Sequence, residues 1–212
     1  MMTATTENAK GAGPEAAAAG ENGVRAALYG VLAHLFAARP DAALLQRIAE
    51  AEAMIMAEDS TLAREWRALC NAAGSVDPAA AATEFDTLFV STSLPPVSLY
   101  ASSHMTLHQR GQLLAELRQD LARIGYSRAE DSCEYEDHLA ALCDVMRGLI
   151  GEEASSPAAA EQQQAFFQSY LAPWHGRLFE KLDRAEGAGF YRSVARFADA
   201  FFTHESQYFE LA

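Results

Sequence analysis

Cysteines, basic side chains, β-branched runs and long apolar stretches are all scarce in this sequence, and each shortage closes off a class of protein. The cysteines are Cys70, Cys133 and Cys143, three in number and without CxxC spacing. A disulfide framework or a thiolate zinc site needs paired, closely spaced thiols, so neither is expected, and a reducing compartment fits best. No apolar run reaches the ~18 residues that read as a membrane-spanning helix, so the chain is not expected to be membrane-embedded. The N-terminal stretch MMTATTENAKGAGPEAAAAGENG has Lys10 as its basic side chain and no unbroken apolar segment. It does not read as a secretory signal but as a disordered tail over residues 1–22, which points to the cytoplasm. Sixteen Lys and Arg stand against 29 Asp and Glu, a net charge of −13 and a pI near 4.8. Such a surface repels a phosphate backbone, which argues against nucleic acid, and favours basic ligands or basic peptide segments. Glycine-rich phosphate loops, HExxH and GxSxG are also missing, so none of the readily legible catalytic classes applies.

What is present is helical periodicity. Leu28, Val31, Leu32, Leu35 and Phe36 recur at three- and four-residue steps on one face. Pro40 and Asp41 end that helix and begin another carrying Leu44, Leu45, Ile48 and Ile55. Ser60 is suited to cap a helix with Leu62, Trp66 and Leu69 inward, and Asp77-Pro78 pairs a capping side chain with proline at the first helical position. Pro95 and Pro96 force an extended path between helices. Further periodic stretches run through Leu107–Ile124, Leu139–Ile150, Phe166–Leu171, Leu178–Leu182 and Phe190–Phe202. Valine and isoleucine are sparse and no run alternates with period two, so strands are not expected. The reading is all-α: a single globular helical domain of about nine helices over residues 23–212, with a linker at 151–160.

Three constellations carry candidate chemistry. Glu134-Tyr135-Glu136-Asp137-His138 opens a helix, and between Ala129 and Glu153 eight acidic residues face Arg147 alone. Carboxylates at a helix start are favourable in themselves, so helix capping is one explanation. An anionic patch that receives a guanidinium is the other. His104 and His108 stand four apart, a spacing that suits two ligands of one metal. With Glu134 and His138 they define an alternative, a helical metal-dependent hydrolase, although two imidazoles alone are not a site and no metal is assigned. The aromatic residues after Phe166 read mostly as core, with the remainder able to line a groove for an apolar peptide. A purely structural adaptor is a third reading.

In their order these landmarks resemble the TorD/DmsD family of redox-enzyme maturation chaperones, with NarJ-type proteins more distant. The family signature Glu-Pro-x-Asp-His stands here as Glu134-Tyr135-Glu136-Asp137-His138, with tyrosine in place of the proline that would stiffen the entry to the helix. Upstream lie Leu88-Phe89 and the loop Pro95-Pro96-Val97-Ser98-Leu99-Tyr100; downstream lie Phe166-Phe167, Pro173-Trp174 and Phe190-Tyr191. The resemblance runs from Gly23 to His204. It implies a TorD-like fold and a cytoplasmic chaperone, not an enzyme, without a cofactor of its own. Its partner would be the precursor of a molybdenum-cofactor oxidoreductase, bound through the twin-arginine signal peptide or the apo form and held back from export until the cofactor is inserted. A hinge near 126–138 would permit a homodimer that exchanges halves. The implied contact residues are Glu134, Tyr135, Glu136, Asp137 and His138 at the charged end. Pro96, Ser98 and Tyr100 form a neighbouring wall, and Tyr29 and Trp66 are aromatics placed to reach the groove.

Overall fold

A computed structural model describes residues 14–51, 60–90, 94–126, 136–152 and 157–211. Among them are nine α-helices and one 3-10 turn: α1 (Pro14–Ala37), α2 (Ala42–Glu50), α3 (Thr61–Ser75), α4 (Pro78–Phe89), the turn Ala101–His104, α5 (Leu107–Arg123), α6 (Leu139–Glu152), α7 (Pro157–Tyr170), α8 (His175–Asp183) and α9 (Phe190–Leu211). The helices start where short polar side chains meet free amides. Asp41 accepts from the Leu44 N–H at 2.7 Å, Ser60 from Ala63 at 3.0 Å and Asp77 from Ala80 at 3.0 Å, each worth about 1 kcal/mol. The 3-10 turn and Tyr100↔His138, a single antiparallel bridge, are the other regular backbone features, and no strand occurs among the described residues.

Two boundaries differ from the sequence reading. α1 begins at Pro14, so residues 14–22 of the stretch read as tail are helical. Proline suits the first helical position, and the alanine run that follows outweighs the ~1 kcal/mol cost of each of Gly20 and Gly23. The linker read at 151–160 is shorter, because α6 continues to Glu152 and α7 starts on Pro157. Residues 1–13, Ile55, Cys133, Glu134, Tyr135 and most of the expected hinge lie outside the described residues.

All nine helices contribute side chains to one continuous core. α1 packs along α6, while α9 packs against α3, α4 and α8. Trp66 of α3 is fully buried against Phe197 of α9, ring centroids 5.0 Å apart, with its indole N–H donating to the Ala51 carbonyl at 3.1 Å. The N-terminus of α9 is capped from elsewhere: the Glu84 carboxylate of α4 accepts from the N–H groups of Gly189, Phe190 and Tyr191 at 2.8, 3.0 and 2.7 Å. Inside the core a polar clamp joins α1, α7 and α9. Arg25 donates to both Glu205 oxygens at 2.7 and 2.8 Å, Tyr29 donates to the same carboxylate at 2.9 Å, and Gln163 accepts from Arg25 at 3.3 Å. The guanidinium lies 4.2 Å from the centre of the Tyr208 ring. Burial and the Glu205 charge hold the Tyr29 phenol well above its ordinary pKa, so it stays a donor.

Candidate functional site

The proline loop and the acidic signature, far apart in sequence, meet as a main-chain joint. Leu139 N–H donates to the Leu99 carbonyl at 2.8 Å, and Ala101 N–H donates to the Asp137 carbonyl at 3.0 Å. This antiparallel pairing sets Tyr100 opposite His138, their rings edge-to-face with centroids 4.9 Å apart. Extended backbone alternates its side chains, so Val97 and Leu99 enter the core while Ser98 and Tyr100 stay partly exposed and Pro96 is exposed.

The signature residues then separate by role. Asp137 is 1% exposed, and its carboxylate accepts from the Ser102 N–H at 2.9 Å, fixing the start of the 3-10 turn. It holds the joint together and presents no free carboxylate at the surface, which corrects the expectation that it meets a guanidinium directly. Glu136 is partly exposed and engaged by Arg118 in a two-pronged pair, at 3.1 and 3.2 Å. The His138 Nδ1 accepts from the Ala140 N–H at 3.2 Å, which places the ring proton on Nε2. Glu134 and Tyr135 lie outside the described residues. Tyr29 and Trp66 are corrected as groove aromatics: both are 0% exposed, Tyr29 in the clamp and Trp66 against α9. An aromatic on an amphipathic helix looks the same in sequence whether it faces a groove or a core.

His138 lines a cavity of about 280 Å³ between α1 and α6. Its other walls are Ala33, His34 and Ala37 of α1 with Ala140, Ala141 and Asp144 of α6. The two helices approach closely because small residues face each other; at Gly30 an added Cβ would sit 3.1 Å from the Arg147 side chain. Sequence reasoning passed over His34, and it counted Asp144 only as part of the acidic run. The usable signal was spacing, since Ala140, Ala141 and Asp144 share a face of α6 and Ala33 and Ala37 share one of α1. A larger cleft of about 510 Å³ lies between the start of α3 and α9 and contains none of the candidate contact residues read from the sequence.

Among the described residues, His104, His108 and His138 do not gather as a metal centre, and Glu134 lies outside them. The His104 ring stacks on Trp174 at 5.2 Å and its Nε2 bonds to the Ser98 carbonyl at 2.8 Å, while His108 is exposed on α5. Burial, together with Arg177 and Lys181, lowers the His104 pKa against the raising effect of the Ser98 carbonyl, so the ring is a neutral donor that stiffens the proline loop. Among the described residues no three His, Cys, Asp or Glu side chains gather as metal donors would. No described helix is long and apolar enough to cross a membrane.

The family model described as "Nitrate reductase delta subunit" matches residues 56–180, which includes the proline loop and the signature. The chain is 27% identical over 139 residues to the "Chaperone protein TorD" of Aeromonas salmonicida (strain A449), covering 62% of each chain. It is 29% identical over 137 residues to the "Chaperone protein TorD" of Vibrio parahaemolyticus serotype O3:K6, covering 60% of this chain and 63% of that one. The matched part thus spans a little under two-thirds of these relatives' length, and both are named as chaperones, not as enzymes. With a family match over more than half its residues and nine helices among those described, the chain belongs to the TorD/NarJ family, that of the nitrate reductase delta subunit.

Proposed function

We propose that this protein is a cytoplasmic maturation chaperone. It binds the twin-arginine signal peptide, or the apo form, of a molybdenum-cofactor oxidoreductase and delays export until the cofactor is in place. The observation that carries this reading is the joint at Tyr100 and His138, which makes one surface of two segments that the sequence keeps apart, beside a cavity. The family membership and the naming of the relatives as chaperones support it. So does the net charge of −13, which attracts a basic peptide and steers its approach. The proposed contact set keeps Glu134, Tyr135, Glu136 and His138 with Pro96, Ser98 and Tyr100. Asp137 acts through the joint that it fixes. No catalytic step and no cofactor of its own are assigned, and a homodimer exchanging halves at 126–138 belongs to the same proposal.

The test is affinity capture of the tagged protein from cells grown to express molybdenum enzymes, followed by mass spectrometry of what is retained. One precursor still carrying its leader is expected, with most of the capture lost when that leader is deleted from the client. Equal capture of the leaderless client would remove the signal peptide from the reading, and no client above background would remove the chaperone role. Light scattering of the purified protein decides between monomer and dimer.

A further inference from the structure

The cavity between α1 and α6 singles out a carboxylate that the signature does not contain. Of the described acids around the joint, Asp137 is buried with its side chain used internally, and Glu136 is held in a fork by Arg118. Asp144 is different. Its side chain is 56% exposed, and its partner Arg147 is a neighbour on the same helix. Arg147 makes both of its contacts, at 2.9 and 2.8 Å, to Oδ1. Oδ2 is left without a hydrogen bond among the described residues. An exposed pair three residues apart on a helix is weak and solvent-screened, so it does not oppose a second cation at Oδ2.

Facing Asp144 across the cavity is α1. The His34 Nδ1 lies 2.7 Å from the Gly30 carbonyl, an acceptor only, so Nδ1 carries the proton of that bond. In the neutral ring Nε2 is then an acceptor. Between the carboxylate and the imidazole the walls are Ala33, Ala37, Ala140 and Ala141, and His138 of the joint is the remaining polar side chain of the lining. The volume of about 280 Å³ is below the roughly 300–1,000 Å³ of small-molecule sites and suits one long side chain. A floor of four alanines with Asp144 and His34 as separated acceptors fits a methylene stem that ends in several divergent donors, with the His138 ring at the edge next to the joint. Arginine has that form, with five N–H groups in a fixed plane, whereas lysine brings a compact point charge.

We propose that this cavity seats one arginine side chain of the bound peptide, with Asp144 as its ionic partner and His34 as its second acceptor. The proposal rests on the peptide-binding reading above and assigns that site a specificity residue outside the family signature. It is tested by fluorescence anisotropy with the full chain and a labelled synthetic peptide of two consecutive arginines followed by an apolar run. A second peptide carries lysines in their place. Asp144→Asn is expected to weaken the arginine peptide about tenfold, to leave the weaker lysine peptide within about twofold, and to leave circular dichroism unchanged. Glu161→Gln, which removes the same charge from an exposed site on α7, is expected to leave both affinities unchanged. A wild-type chain that binds the arginine peptide and an Asp144→Asn chain that binds it equally well would overturn the assignment while sparing the peptide-binding reading. A wild-type chain that binds neither peptide would overturn both.

Discussion

The Arg25–Glu205 clamp and the Tyr100–His138 joint both use polar groups to tie distant segments together, yet one is sealed and the other opens onto a cavity. In the clamp, Arg25 is 3% exposed and Glu205 0%, and Glu205 is met by Arg25 and Tyr29 at once. Nothing is left over for a ligand, so the clamp serves to fix how α1, α7 and α9 sit. In the joint, backbone bonds and the Asp137 carboxylate do the holding, and the side chains of Ser98, Tyr100, Glu136 and His138 are turned toward the outside or the cavity. With the main chain holding the joint, these side chains are placed at its surface and cavity, where Glu136 pairs with Arg118 and Ser98 with Ser103. The buried acid in each region is the one that binds its own protein, and the exposed acids are the ones able to bind another.

The sharpest way to break this comparison is to unbalance the clamp. Glu205→Ala leaves a guanidinium buried without its partner, so a loss of about 3–5 kcal/mol in urea unfolding is expected. A double change, Arg25→Met with Glu205→Leu, should recover most of that loss, because a buried pair is costly to halve and cheap to replace. Recovery of none of it would mean that the clamp contributes through geometry that apolar groups cannot supply.

Acid should act next. His175 lies among Phe167, Phe179 and Phe202, its Nδ1 has no hydrogen-bond partner among the described residues, and burial lowers its pKa to about 4. Between its unfolded pKa of about 6.5 and the folded value, the unfolded chain binds the extra proton, so stability present above about pH 6.5 is lost as the pH falls toward 4. The loss amounts to at most about 3 kcal/mol. Thermal melts from pH 7 to 5 should slope downward for the wild type and less for His175→Phe. Equal slopes would mean that the imidazole is already compensated in the folded state.

Gly148 tests the back of the helix that carries Asp144. A Cβ there would collide with the Tyr126 hydroxyl, so Gly148→Ala should cost about 1–3 kcal/mol and shift α6 against its neighbours. Tyr126→Leu in the same chain should relieve most of this, measured as a double-mutant cycle. The smallest effect is expected at the joint itself. Asp137→Ala removes the acceptor of the Ser102 N–H, costs about 1–2 kcal/mol, and should speed amide exchange at Ser102 before any other site. If Ser102 exchanges no faster, the joint is held by its backbone bonds alone.

The sequence is legible where a rule is local. Asp41, Ser60 and Asp77-Pro78 could be read as helix starts because a capping side chain, its amide and the following proline lie within four residues. The all-α class follows for the same reason, since periodicity needs no knowledge of neighbours. Misreadings occurred at Pro14 and Pro157, where proline and alanine in a glycine- or serine-containing stretch resembled a linker but stand at the first positions of α1 and α7. The candidate site was legible as a set of segments and not as a set of side chains. Glu136 and Asp137 are adjacent and chemically alike, yet one is paired with Arg118 across a loop and the other is turned inward to Ser102. That distinction is made by α5 and the proline loop, which no local window contains. Asp144 and His34 were hidden for the same reason, because the cavity exists only where α1 crosses α6.

The Glu84 carboxylate has a consequence in time. It supplies the cap of α9 from 105–107 residues earlier in the chain, so the last long helix has no strong start of its own. During synthesis α4 waits with its acceptor unfilled until Gly189–Tyr191 leave the ribosome, which at ~5–20 residues per second is a delay of roughly 5–20 s. In that interval α3 and α4 lack the helix that covers them. A protein proposed to shield another chain's unfinished surface therefore spends the end of its own synthesis with an unfinished surface exposed.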